Sequence, residues 1–472
     1  MTLWHENRLS EQHNSVLQED VTVADLVRHY LDRIQTHNPN INALVHVDQE
    51  RAVEQAARRQ EQISAGTSPR LVGLPTADKD LVARAGMPTG YGSATSRNQP
   101  VSTSSDPMAS WLDSVGAISV GKSATSEFGL SGSTESPSTG PTRNPHDLTR
   151  SSGGSSGGAA AAVAAGLLPF APGSDGGGSI RIPAFACGVV GWKPSRGLVP
   201  AGSGFESTGG LVVPGLVTRS VDDLVYVAEH LVYGAFPWSS RAPGESGNYR
   251  QVLDSPRSGL TVGVTVASPW PSSWGVSPDG RALQALELAR STLADAGHTV
   301  VDVDWKPDVT YAENFMTLWA VAAASVPVAA EAVNKLEPLT RFLRERGRRT
   351  SAVELAHAQL ALRGFERDTI VAFSGYDAVL TPGLNGPAPK LGWLDQEDAE
   401  RNFRQQVNMT PWTSFVNVAG LPALAVPVSQ VEGLPLGVQL VGRPGGDATL
   451  MGIAHQISDR LPEAQRWPEQ VV

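Results

Sequence analysis

The 472 residues are enough for one large α/β core or about three average domains, and 37 Lys and Arg against 47 Asp and Glu leave a net charge of −10. No block of five like charges breaks the even spread, which argues against a polyanion such as nucleic acid as partner. The single cysteine, Cys187, excludes an internal disulfide and any cysteine-rich zinc site and fits a reducing compartment.

The polar start MTLWHENRLSEQHNS lacks the apolar core of a signal peptide, and no apolar run is long enough to span a bilayer. A soluble, cytoplasmic protein without a membrane partner is the expectation. Thr22-x-x-Asp25 then looks like a helix start, and Val23, Leu26, Val27, Tyr30, Leu31 and Ile34 recur at helical spacing until Asn38-Pro39. A second, charged helix is expected over Asp48 to Ser64. Residues 1–65 thus read as a helical arm packed on a core, and 66–472 as one α/β domain.

Leu71 to Ala77 reads as a short strand ending on Asp78-Lys79-Asp80, which puts a lysine where strand meets loop; by itself that lysine is as well a surface group. A short helix at Met108 to Leu112, a strand at Ala117 to Val120, a strand at Leu260 to Val266, a helix from Pro278 to Ala296 and a strand at Thr299 to Val303 follow. This alternation predicts a large mixed, mostly parallel sheet covered by helices. Residues 307–373 read as a helical region on the substrate side, carrying Phe315, Trp319, Phe342 and Phe365, aromatics that belong either to core or to a pocket lining. Strands return at Ala378 to Leu380, Ala423 to Val428 and Gly437 to Val441, and a helix near Thr449 to Leu461 closes the chain.

Two short motifs invite chemistry and fail on context. Gly116 to Ser123, GAISVGKS, matches the P-loop of nucleotide hydrolases, but its middle residues Ala-Ile-Ser-Val are strand material rather than a phosphate-cradling turn. Gly153-Gly154-Ser155-Ser156-Gly157 matches the nucleophile elbow G-x-S-x-G, with Asp447 and His455 in the right order downstream, yet no apolar strand precedes it. The ten histidines show no zinc-ligand spacing, so no metal is expected.

A third pattern uses more of the chain. It joins the glycine-serine loop Gly153 to Gly158, the small-residue run Ala159 to Ala165, and Asp175-Gly176-Gly177-Gly178-Ser179-Ile180-Arg181-Ile182-Pro183. Further segments accompany it: Gly73-Leu74-Pro75, Lys79-Asp80, Gly140 to Pro145, Gly188 to Pro194, and Val418-Ala419-Gly420-Leu421-Pro422. Together these resemble the amidase signature family. The resemblance implies hydrolysis of an amide through a Ser-Ser-Lys triad and a covalent acyl-enzyme, with Ser179 as nucleophile, Ser155 as bridging serine and Lys79 as base. It also implies a cis peptide bond before Ser155 and no cofactor.

That scheme has physical requirements. A serine hydroxyl needs a base to take its proton. A lysine can serve only unprotonated; bringing it from about 10.4 toward 7 or 8 takes roughly 4 kcal/mol of bias against its charge. Asp78 and Asp80 are therefore expected to point away from the amine. Gly176, Gly177 and Gly178 are expected to turn backbone N–H groups toward the developing oxyanion, and Asp175 and Arg181 to pair and hold the loop. Ser131, Trp319, Trp412 and Phe415 are assigned to the substrate pocket, and with the Ala124-Thr125-Ser126 run they favour a small apolar or aryl amide, ester, carbamate or hydrazide. The main alternative is the glutamine-hydrolysing component of a tRNA amidotransferase, which carries an acidic residue before its Asn-x-Ala-Gly-Leu-Pro segment, where this chain has Met409 to Thr413. A homodimer is left open.

Overall fold

The computed structural model describes residues 3–96, 100–199, 209–232 and 249–469. Its centre is an eight-stranded sheet in the order 299–302, 261–264, 378–382, 434–442, 423–431, 190–193, 213–218, 170–175. A separate three-stranded sheet holds Leu44–Val47, Ile118–Ser123 and Pro75–Lys79 in that order. Helices cover both, as the mixed α/β expectation required.

The strand directions need correcting. Only the pairings of 261–264 with 299–302 and with 378–382 are parallel; the other five in the large sheet are antiparallel. The helix Gly280–Asp295 makes the crossover that a parallel pair demands. Beyond it the chain turns back on itself: Ala423–Val431 and Leu434–Gly442 are joined by Glu432 and Gly433, both left-handed at φ 54° and 75°, the conformation a two-residue hairpin uses.

In the first 65 residues, the helix Val23–Ile41 starts where expected, with Thr22 Oγ1 accepting from the Asp25 N–H, and buries Leu26, Val27, Tyr30, Leu31 and Ile34. It runs through Pro39 instead of stopping there, because Pro39 lies in the last turn and the missing donor breaks one bond only. Asn42 in the left-handed region ends it, and Asn38 Oδ1 accepts from the N–H groups of Ala43 and Leu44, both at 2.9 Å. The chain leaves directly into Leu44–Val47, antiparallel to Ile118–Ser123, so this stretch contributes a strand as well as helices.

Ile118–Ser123 also disposes of the P-loop. The segment is a fully buried strand, and Lys122 Nζ donates to Val82 O and Thr89 Oγ1 inside the protein rather than facing a phosphate.

The helix Gly157–Ala164 threads the middle of the molecule and is buried on every side, which its five alanines and two glycines permit. Gly158 is required by approach: a Cβ there would sit 2.2 Å from Ala124 N and 2.4 Å from Ala43 O. None of the helices among the described residues is long and apolar enough to cross a membrane.

Candidate active site

Lys79 stands at the end of Pro75–Lys79, in the smaller sheet, beside the edge strand Phe170–Asp175 of the larger one. Thr76 Oγ1 donates to Phe170 O at 3.1 Å and ties the two strands. Strand alternation then sends Lys79 to one face and its neighbours to the other. Asp78 accepts from Arg84 at 2.5 and 3.1 Å and from Ser119 Oγ at 2.7 Å, while Asp80 accepts from the Gly90 N–H at 2.9 Å. Burial pushes the Asp80 carboxyl up to about 6, against hydrogen bonds from Gly90 and Gly92 and the charge of Lys122. Lys79, 1% exposed, directs Nζ at Ser155 Oγ, 2.8 Å away, and at Ser174 Oγ and O, 3.0 and 3.3 Å away.

Ser155 lies in the loop before the alanine helix, and the Gly154–Ser155 peptide bond is cis. Gly154 leaves room for this loop, since a Cβ there would meet Ser133 backbone at 2.7 Å. The second loop is joined to the first by the Ser156 N–H, which donates to Ser179 O at 3.0 Å. Ser155, Ser174 and Ser179 line one cavity.

The loop carrying Ser179 is wound around one carboxylate. Asp175 Oδ1 accepts from Gly178 N, Arg181 Nη2 and Asn417 Nδ2 at 2.8, 2.8 and 2.9 Å; Oδ2 accepts from Ile180 N and Arg181 Nε at 3.1 and 2.9 Å. Burial alone would raise this carboxyl, but the charge and hydrogen bonds of Arg181, the charge of Lys193 and the Asn417 amide hold it well below the usual carboxylate range. Arg181 in turn donates to Thr413 O, Gln439 Oε1 and Asn417 Oδ1 at 3.0, 2.5 and 2.7 Å. Burial and the nearby Arg181 pull Lys193 down to about 7.

This winding corrects one expectation. The Gly178 N–H is committed to Asp175, so it is turned away from any oxyanion. Gly176 and Gly177 remain, each lining a cavity at Ser179, and Thr413 Oγ1 holds Gly177 O at 2.7 Å.

Two apolar lobes share Gly129, Leu130, Ser179 and Trp319. One adds Leu81, Phe128, Leu211 and Val212; the other adds Ser131, Trp270, Phe315, Phe403 and Ser414. Ser131 lines one lobe and Trp319 both. Trp412 and Phe415, also assigned to the pocket, are both 0% exposed and line neither lobe, Trp412 donating to Val266 O and Phe415 packing on Trp305 and Phe373. Their apolar bulk is spent on the aromatic core behind the loop. Of the helical aromatics, Phe315 and Trp319 line the cavity, whereas Phe365 packs on Trp305 and Tyr311.

The elbow reading also fails on partners. Asp447 accepts from Trp192 Nε1, Ser195 N and Ser195 Oγ, and His455 lies 3.4 Å from Asp222, so neither serves Ser155. Among the described residues no group of three His, Cys, Asp or Glu is placed to hold a metal. Sequence reasoning missed Ser174, Asn417 and Gln439. The signal for Gln439 was present: one polar residue in the otherwise apolar run Val438 to Val441.

The family model described as Amidase matches residues 25–451. The chain belongs to the amidase family. Within it, the chain is 35% identical to AmiB2 of Mycobacterium tuberculosis (strain ATCC 25618 / H37Rv) over 456 residues, 95% of each protein. It is 32% identical to a glutamyl-tRNA(Gln) amidotransferase component of Exiguobacterium sp. (strain ATCC BAA-1283 / AT1b) over 474 residues, covering 95% of this chain and 96% of that one. Among solved structures, 6-aminohexanoate cyclic dimer hydrolase complexed with substrate superimposes over the whole of both chains with a TM-score of 0.89 at 28% identity. This amidase is accordingly an amide-hydrolysing enzyme.

Proposed function

We propose that the enzyme hydrolyses a small neutral amide, with Ser179 as nucleophile, Ser155 as proton relay and Lys79 as base. The observation that carries this is the 2.8 Å contact of Lys79 Nζ with Ser155 Oγ, beside a cavity that Ser155 shares with Ser179. In the scheme Lys79 is an unprotonated amine. Ser155 gives its proton to Lys79 and takes the one that Ser179 loses as its oxygen bonds to the carbonyl carbon, a double role suited to a hydroxyl. Gly176 and Gly177 N–H groups receive the oxyanion. As the tetrahedral intermediate collapses, the relay returns a proton to the departing nitrogen, and the C–N bond breaks. Water then enters by the same relay and frees the acid.

The lining supports a neutral substrate. None of the described residues of either lobe is charged, so the ammonium and carboxylate of glutamine would be desolvated without partners, a costly arrangement. Thr410 lines the lobe in the stretch before Asn417, where the glutamine-hydrolysing relatives have their acidic residue. Incubating the pure protein separately with glutamine and with a neutral aryl amide tests the reading. Release of aryl amine is expected; ammonia from glutamine alone overturns it.

A further inference from the structure

Trp270, Tyr311 and Ser414 meet where the helix Ser414–Ala419 begins, all at most 5% exposed. Trp270 Nε1–H, which can only donate, lies 3.1 Å from Ser414 Oγ, and the Tyr311 hydroxyl lies 2.9 Å from the same oxygen. The three side chains bring three polar hydrogens, and these two bonds consume two. One hydroxyl hydrogen is left over whichever way the Tyr311–Ser414 bond points. Were it the one on Tyr311, whose ring packs on Trp270, Phe315 and Phe365 and whose hydroxyl bonds no group but Ser414 among the described residues, it would be a buried donor left unsatisfied. On Ser414 it faces the lobe, because Ser414 lines the cavity with Ser179 and a Cβ on Gly177 would come within 3.9 Å of its Cβ. The adjacent hydroxyls differ: Thr413 gives its hydrogen to Gly177 O, and the 2.8 Å Thr410–Thr413 bond uses that of Thr410.

We propose that Ser414 donates this surplus hydrogen to the substrate, so that the portion lying against Trp270 and Trp319 is a neutral group carrying a hydrogen-bond acceptor, such as a carbonyl, ether or nitro oxygen, close to the reacting carbon. The inference rests on the neutral-amide reading of the same cavity. A substrate that presents plain hydrocarbon there forgoes about tenfold in kcat/KM, the scale of one neutral hydrogen bond.

The test uses anilides and benzamides in pairs, each pair bearing either an acetyl group or an isopropyl group of nearly the same shape. The readout is the kcat/KM ratio, acetyl over isopropyl, in each enzyme; comparing enzymes cancels the electronic effect of the substituent. In one of the two series the ratio should fall about tenfold in Ser414→Ala, mainly through KM. It should persist in Tyr311→Phe, where Trp270 still engages the Ser414 oxygen and the Ser414 hydrogen stays available. If Ser414→Ala lowers the melting temperature markedly, Ser414→Cys, near in size and a weak donor, takes its place. An unchanged ratio in both series overturns the proposal, as does a ratio that falls in Ser131→Ala instead. Wild-type enzyme that hydrolyses none of these amides would instead defeat the neutral-amide reading and this proposal with it.

Discussion

Asp175 and Arg181 face each other through two hydrogen bonds, Nε to Oδ2 at 2.9 Å and Nη2 to Oδ1 at 2.8 Å, with neither side chain exposed. Gly178 N, Ile180 N and Asn417 Nδ2 donate to Asp175, and Arg181 donates to Thr413 O, Gln439 and Asn417, so these two groups tie the Ser179 loop to the elements around it. The pair is thus the loop's internal scaffold, and it holds without touching the cavity. Removing one partner strands a buried charge, so Asp175→Asn and Arg181→Met should each cost about 3–5 kcal/mol in urea unfolding. The pH dependence has a definite sign. Asp175 is depressed below its ordinary value of 3.8, so its contribution is present above that value and lost as pH falls through the folded one. The stability gap between wild type and Asp175→Asn should stay constant across neutral and mildly acidic pH and shrink only below about pH 4.

Lys79→Met, Ser155→Ala and Ser179→Ala each interrupt one proton path. Each should lower kcat/KM for a neutral aryl amide by at least roughly a thousandfold, and the Lys79→Met/Ser155→Ala double variant should be little worse than either single one, as groups acting in one unit are not additive. Steady-state kinetics together with circular dichroism check both halves: full activity in the Ser179 variant would remove the nucleophile assignment.

Two adjacent glycines should respond differently to one added methyl. Gly178 has φ +129°, and a Cβ there would meet Thr413 Oγ1 at 2.5 Å and Ile182 Cδ1 at 2.8 Å. Gly178→Ala should cost on the order of 1–3 kcal/mol from backbone strain, with further loss from the clash. At Gly177 the nearest atom to a Cβ is Phe315 Cζ at 3.6 Å. Gly177→Ala should therefore keep its thermal midpoint and lose activity as the methyl enters the substrate lobe.

Glu337 supplies a pH test away from the chemistry. Burial first, and then the charge of Glu127, push its carboxyl from 4.5 up to about 8. A raised acid holds its proton more tightly in the folded state, so its contribution is complete below 4.5 and lost as pH rises toward 8. Glu337→Gln should gain thermal stability relative to wild type as pH increases from about 5 to about 8. A difference that stays flat over that interval would contradict the assignment.

The elements with strong periodicity were legible: Val23 to Ile34 as a buried helical stripe, and Lys79 at a strand end. Strand direction was not, because alternation of strand and helix implies crossovers only where a helix separates the strands. The hairpin at Glu432-Gly433 has no helix between its strands, and Phe170–Asp175 and Val190–Lys193, although a helix separates them in the chain, each lie antiparallel to Val213–Thr218 between them. The glycine-serine loops could be told from linkers only through their family pattern, which the match of the family model to residues 25–451 supports. Trp412 and Phe415 misled because composition cannot tell an aromatic facing the cavity from one a few residues away facing the core. Ser174 was hidden for another reason: as a partner of Lys79 it depends on two sheets meeting, and nothing local to residues 170–175 announces that.

That meeting has an operational meaning. Lys79 rides on the three-stranded sheet, whereas Ser174 and the Ser179 loop belong to the eight-stranded one. The ladders within each sheet do not fix the distance between them, and a slip of about an ångström of one against the other would carry Lys79 Nζ beyond hydrogen-bond reach of Ser174 Oγ, now 3.0 Å away. Turnover is in this sense a gauge of sheet docking: mild denaturant should silence the enzyme while its far-ultraviolet spectrum is still that of the folded chain.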